Sequence, residues 1–374
     1  MDFMKSGWFR KYIVPGIIFQ SVLIAGGYGT GRELVEFFMN FGALGGLVAM
    51  ATSAFFTLAV VCAVSFEFAR VFEAYDYRTF FKRLLGNGWV LYEICYLVLL
   101  LLVLGVVAST SGAILNSMFG VSAWFGIIGM MVGVGLLIFY GNEAITRALS
   151  YWSFVLYAVY AVFMILALVN VSGDIISALS MNEFKPGYFV SGFKYAWYNL
   201  GVIPALLFSV REIETRKEAI GSGILAGLIG IVPAVLLYIA MCGGYPDILT
   251  TELPTNFILA KMGILGFQVV FQIVLFGTLI ETGTGFIYGV TERIAGMYKD
   301  KGGQMPKQLE QFVTIGLLIL GAIIAQYGLI GLIAQGYGTI TWGFFIIYVI
   351  PVLTYGVYLI AQHGQKDKPG VKEK

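Results

Sequence analysis

The chain has almost none of the residues from which catalytic or metal centres are usually built. Its one histidine, His363, lies in the polar C-terminal tail, so a histidine-based metal site, haem ligand or proton relay among the apolar segments is excluded. The three cysteines, Cys62, Cys95 and Cys242, are far apart and have neither metal-site spacing nor the pattern of a disulfide framework. Because no Ser-His-Asp or Cys-His set can form, we predict that the protein is not an enzyme.

Charge is also scarce, and this sets the class of protein. Charged residues make up 12% of the chain, whereas soluble domains carry about 25%. Hydrophobic residues make up 59%, and the mean hydropathy is +0.87. A membrane protein whose main partner is the lipid bilayer is therefore expected. No GxxxxGK[ST] phosphate loop is present and no glycine-rich turn follows a strand, so a nucleotide cofactor is not expected. No other cofactor is expected, and nucleic acid is not expected as a partner.

Apolar runs of about 20 residues, long enough to cross a bilayer, recur along the chain. They predict an all-α polytopic membrane protein with ten transmembrane helices in a single domain over residues 1–364, followed by a polar cytoplasmic tail over 365–374. The first run is too long for a cleavable signal peptide and lacks a cleavage site. The piece Leu329–Ala334 is too short to span and is interpreted as part of a loop. The predicted helices cover residues 12–41, 44–69, 89–115, 121–140, 146–170, 189–210, 219–242, 266–291, 311–327 and 338–362.

Lysine and arginine are distributed unevenly between the loops. Of the 23 basic residues, 19 lie in the two termini and in every second loop, whereas the opposite loops hold only Lys185 and Lys261. Because cytoplasmic loops carry the excess of basic residues, both termini are predicted to be cytoplasmic. The expected location is a bacterial-type plasma (inner) membrane, which the chain crosses many times.

Two of the predicted helices are interrupted. The first contains the glycine-rich stretch 25–33, and in the sixth Gly201 and Pro204 disfavour a continuous helix. Helices one and six each begin a set of five, so the second set, 172–364, is an inverted repeat of the first, 1–171. Unwound backbone survives in a bilayer only where it is buried in protein or lines a cavity. Paired breaks of this kind are typical of the binding sites of secondary transporters.

Several motifs indicate a family. Gly29-Thr30-Gly31 resembles the small-residue motif in helix one of LeuT-fold transporters of the amino acid–polyamine–organocation superfamily. The stretches 29–38, 281–293 and 332–337 resemble more closely the YkvI-type bacterial membrane proteins. The resemblance implies a LeuT-like fold of 5+5 inverted repeats, in which helices one and six form a site packed against helices three and eight. Helices one, two, six and seven would then rock against helices three, four, eight and nine, giving alternating access.

The break in helix one is the expected binding site for a small-molecule substrate. Its free N–H groups suit a carboxylate, whereas its free carbonyls suit an ammonium or a metal cation. The resemblance implies that Gly29, Thr30 and Gly31 meet a substrate carboxylate and that the region of Gly27 meets an amine. The alternative is that the glycines serve close helix packing. The expected substrate-binding residues are Gly26, Gly27, Tyr28, Gly29, Thr30, Gly31, Arg32, Tyr195, Tyr198, Asn199 and Gly201.

Three charged residues at the end of this break have two interpretations each. Arg32 lies roughly 13 Å below the outer end of its helix, at 1.5 Å per residue. It either clamps an anionic group of the substrate or pairs with a carboxylate of Glu33, Glu36 or Glu281. Glu33 and Glu36 lie one turn apart and are expected to share a face. They either gate the outer vestibule or compensate the charge of Arg32.

Helix eight is the expected site of a coupling ion. Thr278, Glu281 and Thr282 have the spacing i, i+3, i+4, which puts them on one helix face. In sodium-coupled relatives this face supplies hydroxyl ligands, and YkvI-type chains have a hydroxyl residue where this chain has Glu281. That carboxylate therefore either binds Na⁺, carries a coupling proton, or pairs with a cation and leaves transport uncoupled. We favour a coupling role, with H⁺ rather than Na⁺ as the coupling ion. The expected coupling-ion residues are Ala25, Tyr28, Thr278, Glu281 and Thr282.

The function that these features predict is secondary active transport of a small amino acid or a related amine or carboxylate. The alternatives are a LeuT-fold receptor subunit that senses nutrients or germinants without net transport, and a channel. Transition-metal transport is disfavoured because helix one has no acid before Arg32 and helix six has neither Met nor Cys. At the cytoplasmic face, Glu67 and Glu93 are expected to pair with basic residues, and Glu292-Arg293 is expected to form a cap or gate pair.

Overall fold

The computed structural model describes residues 6–24, 26–140, 142–300 and 302–366, and its regular structure is helical throughout these ranges. A short helix, Gly7–Tyr12, precedes the first apolar segment. The helices used below are α1 (Val14–Leu23), α2 (Arg32–Phe37), α3 (Ala43–Val71), α4 (Tyr77–Leu85), α5 (Trp89–Phe119), α6 (Ala123–Tyr140), α7 (Asn142–Asn170), α8 (Ser172–Ser180), α9 (Tyr188–Leu200), α10 (Arg216–Cys242), α11 (Pro254–Met262), α12 (Leu265–Asp300), α13 (Lys307–Ile324) and α14 (Leu329–His363).

The membrane-spanning character predicted from composition is present in the helices. By length and hydropathy, six of the described helices can cross a bilayer, or seven if α7 and α8, which meet at a bend of 78°, count as one span. A shorter apolar helix occupies Ala123–Phe139. The remaining two predicted spans, 12–41 and 189–210, are the interrupted ones, and their pieces are too short to be counted as spanning helices. The all-α polytopic class is thus confirmed, and the number ten stays a prediction.

One boundary predicted from the sequence is wrong. Leu329–Ala334 is not a loop, because it forms the first turns of α14, in which a helical turn at Leu329–Gly331 leads into a π-helical stretch at Leu332–Tyr337. Gly328, with φ of 74°, makes the turn after α13, and its carbonyl accepts the first hydrogen bond of the new helix from the N–H of Leu332. With no breaker after that turn, the short apolar piece simply continues into the span.

The first interruption follows from its glycines. α1 ends at Leu23, a single helical turn forms at Gly26–Gly29, and α2 begins after Gly31, whose φ of 79° lies in the left-handed region that favours glycine. The second interruption also lies where it was predicted. α9 ends at Leu200, and only two short 3₁₀ turns follow, Ile203–Ala205 and Leu207–Val210.

The long helices pack in two groups, which the breaks join. In the first group α10 lies against α1 and α3, with α9 also against α3; in the second, α5 lies against α6, α12 and α13. Gly223 and Gly227 of α10 meet the backbone of Ala63 and Ala59 on α3 so closely that a methyl group at either glycine would collide. Small residues at such contacts let apolar helices approach without a hydrophobic driving force.

Candidate functional site

Carbonyl groups that the break in the first segment leaves without helical partners accept hydrogen bonds from other protein groups. The hydroxyl of Thr30 donates to the carbonyl of Gly27 at 2.9 Å. The hydroxyl of Tyr160, on α7, donates to the carbonyl of Gly29 at 2.8 Å, and the N–H of Thr255, at the start of α11, donates to the carbonyl of Thr30 at 2.9 Å. The unwound backbone is therefore satisfied by protein groups, as a break at membrane depth requires.

Glu33 lies inside this break. Only 3% of the residue is exposed, and its carboxylate accepts a hydrogen bond from the hydroxyl of Tyr198 on α9. The carboxylate also lies against the backbone of Gly27 and Tyr28, so closely that a side chain at Gly27 would overlap it. Glu33 thus connects the first interrupted segment with the interrupted sixth segment. Its carboxylate fills the space beside Gly27.

Tyrosines surround Glu33, and we call this set the Glu33 cage: Tyr28, Tyr195, Tyr198 and Tyr337. The ring of Tyr198 stacks on that of Tyr337, with centroids 5.0 Å apart, and meets the edge of Tyr195 at 5.7 Å. The hydroxyls of Tyr28 and Tyr195 are buried and make no hydrogen bond of full geometry to another described residue, although the side-chain amide of Asn199 lies close to the hydroxyl of Tyr195. Two unsatisfied donors beside a buried carboxylate mark a place where a polar ligand would be held.

Arg32 faces away from the Glu33 cage. Its guanidinium donates to the carboxylate of Glu36 at 3.0 Å and to the carbonyls of Leu249 and Thr251 at 2.8 and 3.0 Å. Only 3% of its side chain is exposed. Of the two interpretations of Arg32, this geometry favours the structural ion pair over the substrate clamp, because both terminal nitrogens of the guanidinium are already bonded; its buried Nε–H has no partner among the described residues.

Glu33 and Glu36 lie one turn apart within α2, as expected, but they have different partners. Glu33 contacts Tyr198, whereas Glu36 contacts Arg32 and the side-chain amide of Asn40. Compensation of the charge of Arg32 is therefore seen for Glu36, and a gating role of the two acids stays a prediction.

The remaining expected residues of the sixth segment are engaged within the protein. The side-chain amide of Asn199 donates to the carbonyl of Tyr195 at 2.9 Å, one turn back in α9. The carbonyl of Gly201 accepts from the hydroxyl of Tyr92, on α5, at 2.9 Å, and its Cα lies against the ring of Phe344. Of the substrate-binding residues expected in the sixth segment, only Tyr195 and Tyr198 belong to the Glu33 cage.

The coupling-ion residues are divided between two environments. Thr278 is buried, donates to the carbonyl of Val274 and accepts from the indole N–H of Trp152 at 3.2 Å. Glu281 and Thr282 instead line a cavity of about 270 Å³. The carbonyl of Tyr28 accepts from the N–H of Gly31 at 2.8 Å. Ala25 lies outside the described residues.

The cavity borders α1, before the break. It is lined by Ser21, Val22, Ile24, Tyr96, Leu156, Tyr157, Glu281, Thr282, Gly285 and Phe286. Of these residues, Tyr157 lies within electrostatic reach of both Glu281 and Tyr28. Two larger and mainly apolar grooves, of about 600 and 820 Å³, lie between α6 and α13 and between α5 and α14, and neither contains a residue of the breaks.

Charged residues at the ends of the helices pair mostly as expected. Glu67 binds Arg70 through two hydrogen bonds of 2.8 Å. Glu93 binds Arg293 at 2.8 Å, so Arg293 is paired with a residue of α5, and the cap or gate role of Glu292-Arg293 stays a prediction. The guanidinium of Arg293 also lies 4.1 Å from the ring centroid of Tyr96, one of the residues that line the cavity.

Four contacts of the site were not predicted from the sequence. Tyr92, Tyr160 and Thr255 hold carbonyls of the two breaks, and Tyr337 completes the Glu33 cage. Only Tyr337 had a signal, because it ends one of the stretches that resemble YkvI-type proteins. The others lie far along the chain from the breaks and have no distinguishing spacing.

Comparisons with known proteins give a relative by sequence and several solved structures, of which two are described here. The chain matches no family model. It is 22% identical, over 321 residues that cover 83% of this chain and 86% of the relative, to the uncharacterized membrane protein YkvI of Bacillus subtilis. A manganese transporter of Eremococcus coleocola, solved with an aromatic bis-isothiourea compound, has a TM-score of 0.43 at 14% identity, covering 98% of this chain and 90% of that one. A mutant of the same transporter has a TM-score of 0.42 at 13% identity, covering 97% of this chain and 89% of that one. The chain is thus similar, over most of its length, to a bacterial membrane protein.

Proposed function

We propose that the protein is a secondary transporter with a LeuT-like arrangement, which carries a small amino acid or a related amine or carboxylate. The observation that supports this most directly is the hydrogen bond between Glu33 and Tyr198, which joins two interrupted helices at a buried polar site. If the two breaks served only helix packing, they would not need to meet at an acid, because burying a carboxylate costs free energy.

The helix packing supports alternating access. α1, α3, α9 and α10 correspond to the helices expected to move together, and α5, α6, α12 and α13 to the helices expected to stay. On the α2 side, Arg32 and its partners close over the break, whereas on the α1 side the 270 Å³ cavity opens. If the basic loops face the cytoplasm, this arrangement is an inward-facing state.

A coupling ion is part of the proposal. Glu281 lines the cavity beside Tyr157, where a proton or Na⁺ arriving with the substrate would meet it. Binding that is tighter in one facing state than in the other shifts the population between them, which is the basis of coupling. A transition metal is not proposed as the substrate. No group of three His, Cys, Asp or Glu residues suited to a metal ion occurs in the described ranges.

The test begins with thermal unfolding of the purified protein against amino acids, amines and small organic acids, each in Na⁺ and in K⁺ buffer at several pH values. A ligand that binds only the folded state raises the unfolding temperature by mass action. Stabilising compounds are then tested for uptake into proteoliposomes. Uptake driven by a sodium or proton gradient supports the proposal, whereas tight binding without net uptake indicates a receptor subunit and ohmic currents indicate a channel.

A further inference from the structure

We infer that the site recognises a positively charged amino group of its substrate through Glu33, and that it does not hold a substrate carboxylate on the Gly29-Thr30-Gly31 backbone. This inference deepens the proposed transport function and rests on it. It differs from the expectation from the sequence, in which the glycine-rich break binds an anionic group of the substrate.

The first argument is that an anion has no free place at the break. The carboxylate of Glu33 already lies beside Gly27 and the backbone of Tyr28. The N–H of Gly31 donates to the carbonyl of Tyr28, and the N–H of Arg32 donates to the hydroxyl of Thr30 at 3.3 Å. α2 has only six residues, so it adds little dipole at its start. A second carboxylate there would meet a like charge in a low-dielectric site.

The second argument is charge balance. No cation of the described residues forms an ion pair with Glu33. Arg32, its neighbour in sequence, is held by Glu36 and two carbonyls and faces another way. A buried carboxylate without a cation is costly, and a substrate ammonium would supply the missing charge.

The third argument is the composition of the Glu33 cage. An ammonium group has three N–H donors, and the site offers three oxygens: the carboxylate of Glu33 and the unpartnered hydroxyls of Tyr28 and Tyr195. The faces of aromatic rings attract cations further, and the stacked rings of Tyr198 and Tyr337 lie beside the carboxylate. Acceptors and rings together match a cation better than an anion.

The adjoining cavity limits the size of the substrate. Its volume of about 270 Å³ is below the range of roughly 300–1,000 Å³ that holds drug-sized ligands. A compact aliphatic amine or a small amino acid fits this volume.

The experiment compares matched compounds in thermal unfolding and in proteoliposome uptake. Alanine, alanine methyl ester and a short primary amine keep the amino group, whereas N-acetylalanine and lactate keep only the carboxylate. We expect the first three to bind and the last two not to bind. The variant Glu33→Gln should lose at least tenfold in affinity for the amines. Glu183→Gln is the matched control, because Glu183 also accepts a hydrogen bond from a tyrosine, Tyr245, but is paired with Lys185 and does not belong to the Glu33 cage.

Each other outcome has a distinct meaning. Binding of N-acetylalanine or lactate, or amine affinity unchanged in Glu33→Gln, overturns the inference and leaves the transport function standing. Unchanged amine affinity with a lost pH dependence would assign Glu33 to a proton instead. No binding and no uptake of any compound would overturn both proposals. If Glu33→Gln fails to fold, Tyr28→Phe and Tyr195→Phe should each weaken amine binding severalfold while the carboxylate remains, and full affinity in both would overturn the inference.

Discussion

Glu33 shows how a single residue differs from what its sequence neighbours indicate. Arg32, Glu33 and Glu36 stand close together in the chain, and pairing of the arginine with either acid is compatible with their spacing. In the structure Arg32 neutralises Glu36, its i,i+4 neighbour on α2, while Glu33 enters the break. Helix spacing accounts for the pair with Glu36, but the contact of Glu33 with Tyr198 depends on how α2 and α9 meet, which no local pattern specifies.

The contact between Gly27 and Glu33 leads to a prediction. Gly27→Ala places a methyl group where the Glu33 carboxylate lies, so the carboxylate must move. Overpacking of this kind typically costs about 1–3 kcal/mol, and we expect a lower unfolding temperature together with weaker substrate binding. Thermal unfolding with and without the best stabilising amine measures both effects.

The control for this prediction is Gly316→Ala. Gly316 lies within α13, and a methyl group there has open space. Alanine in a helix interior is favoured over glycine by about 0.5–1 kcal/mol, so this variant should be neutral or slightly stabilised. If Gly27→Ala behaves like Gly316→Ala, the close contact between Gly27 and Glu33 is absent from the protein in solution.

The buried ion pair of Arg32 leads to a second prediction. Arg32→Met removes the cation but leaves Glu36 and two carbonyls without their donor. Breaking one side of a buried pair costs roughly 3 kcal/mol, so the unfolding temperature in detergent should fall by several degrees. The matched control is Arg10→Met, which removes the largely exposed pair with Glu212 at 2.5 Å and should cost at most about 1 kcal/mol. Equal effects of the two variants would contradict the burial of Arg32.

At the scale of the elements, each break is tied by one tyrosine to a helix outside the α1, α3, α9 and α10 group. Tyr160, on α7, holds the carbonyl of Gly29, and Tyr92, on α5, holds the carbonyl of Gly201. These hydrogen bonds link the backbone of the breaks to helices outside the group that is proposed to move. The bond from Tyr160 to Gly29 is therefore expected to stabilise the closed arrangement on the α2 side.

We predict that Tyr160→Phe favours opening on that side. The change removes a hydrogen bond that contributes about 1 kcal/mol, so a minor open state should increase severalfold. A cysteine at Asn40, at the outer end of the first segment, should then react faster with a maleimide. The matched control is Tyr348→Phe, which removes a buried hydrogen bond of 2.7 Å to Ser65 and leaves the bond to the carbonyl of Gly29 intact. Faster labelling in both variants would indicate general loosening rather than release of the break.

The interruptions themselves could be predicted from the sequence, but their contacts could not. Glycine-rich and Gly–Pro stretches break helices through local backbone preferences, and both breaks lie where they were expected. The extension of α14 back to Leu329 was missed because an apolar piece of six residues is ambiguous by itself. Its helical state depends on the span that follows.

At the scale of the whole molecule, the two helix groups and the one-sided cavity define which face is open. The cavity that contains Glu281 lies on the side of α1, whereas Arg32 and its partners close the side of α2. Basic residues also gather near the start of the chain, where Lys11 bonds Glu218 at 3.0 Å. The distribution of charge over the loops predicts that this is the cytoplasmic face.

The topology can be measured directly. Alkaline phosphatase fused after residue 366 should be inactive in a bacterial host, because the C-terminus is predicted to be cytoplasmic, whereas a fusion in the loop near Lys185 should be active. The same cells should label a cysteine at Glu183 from outside but not one at Glu214. An active C-terminal fusion would contradict the even number of spans, and with it the inverted repeats.

The sequence by itself determined the membrane class, the approximate positions of most helices and the two breaks, because hydropathy, glycine and proline act over a few residues. The tertiary structure decided that Glu33 fills the break, that Tyr198 contacts it, and that within the described part of the chain the buried hydroxyls of Tyr28 and Tyr195 make no full hydrogen bond. These features arise where residues more than a hundred positions apart meet, as Glu33 meets Tyr198. Such contacts depend on the packing of whole helices, and no local pattern in the chain encodes them.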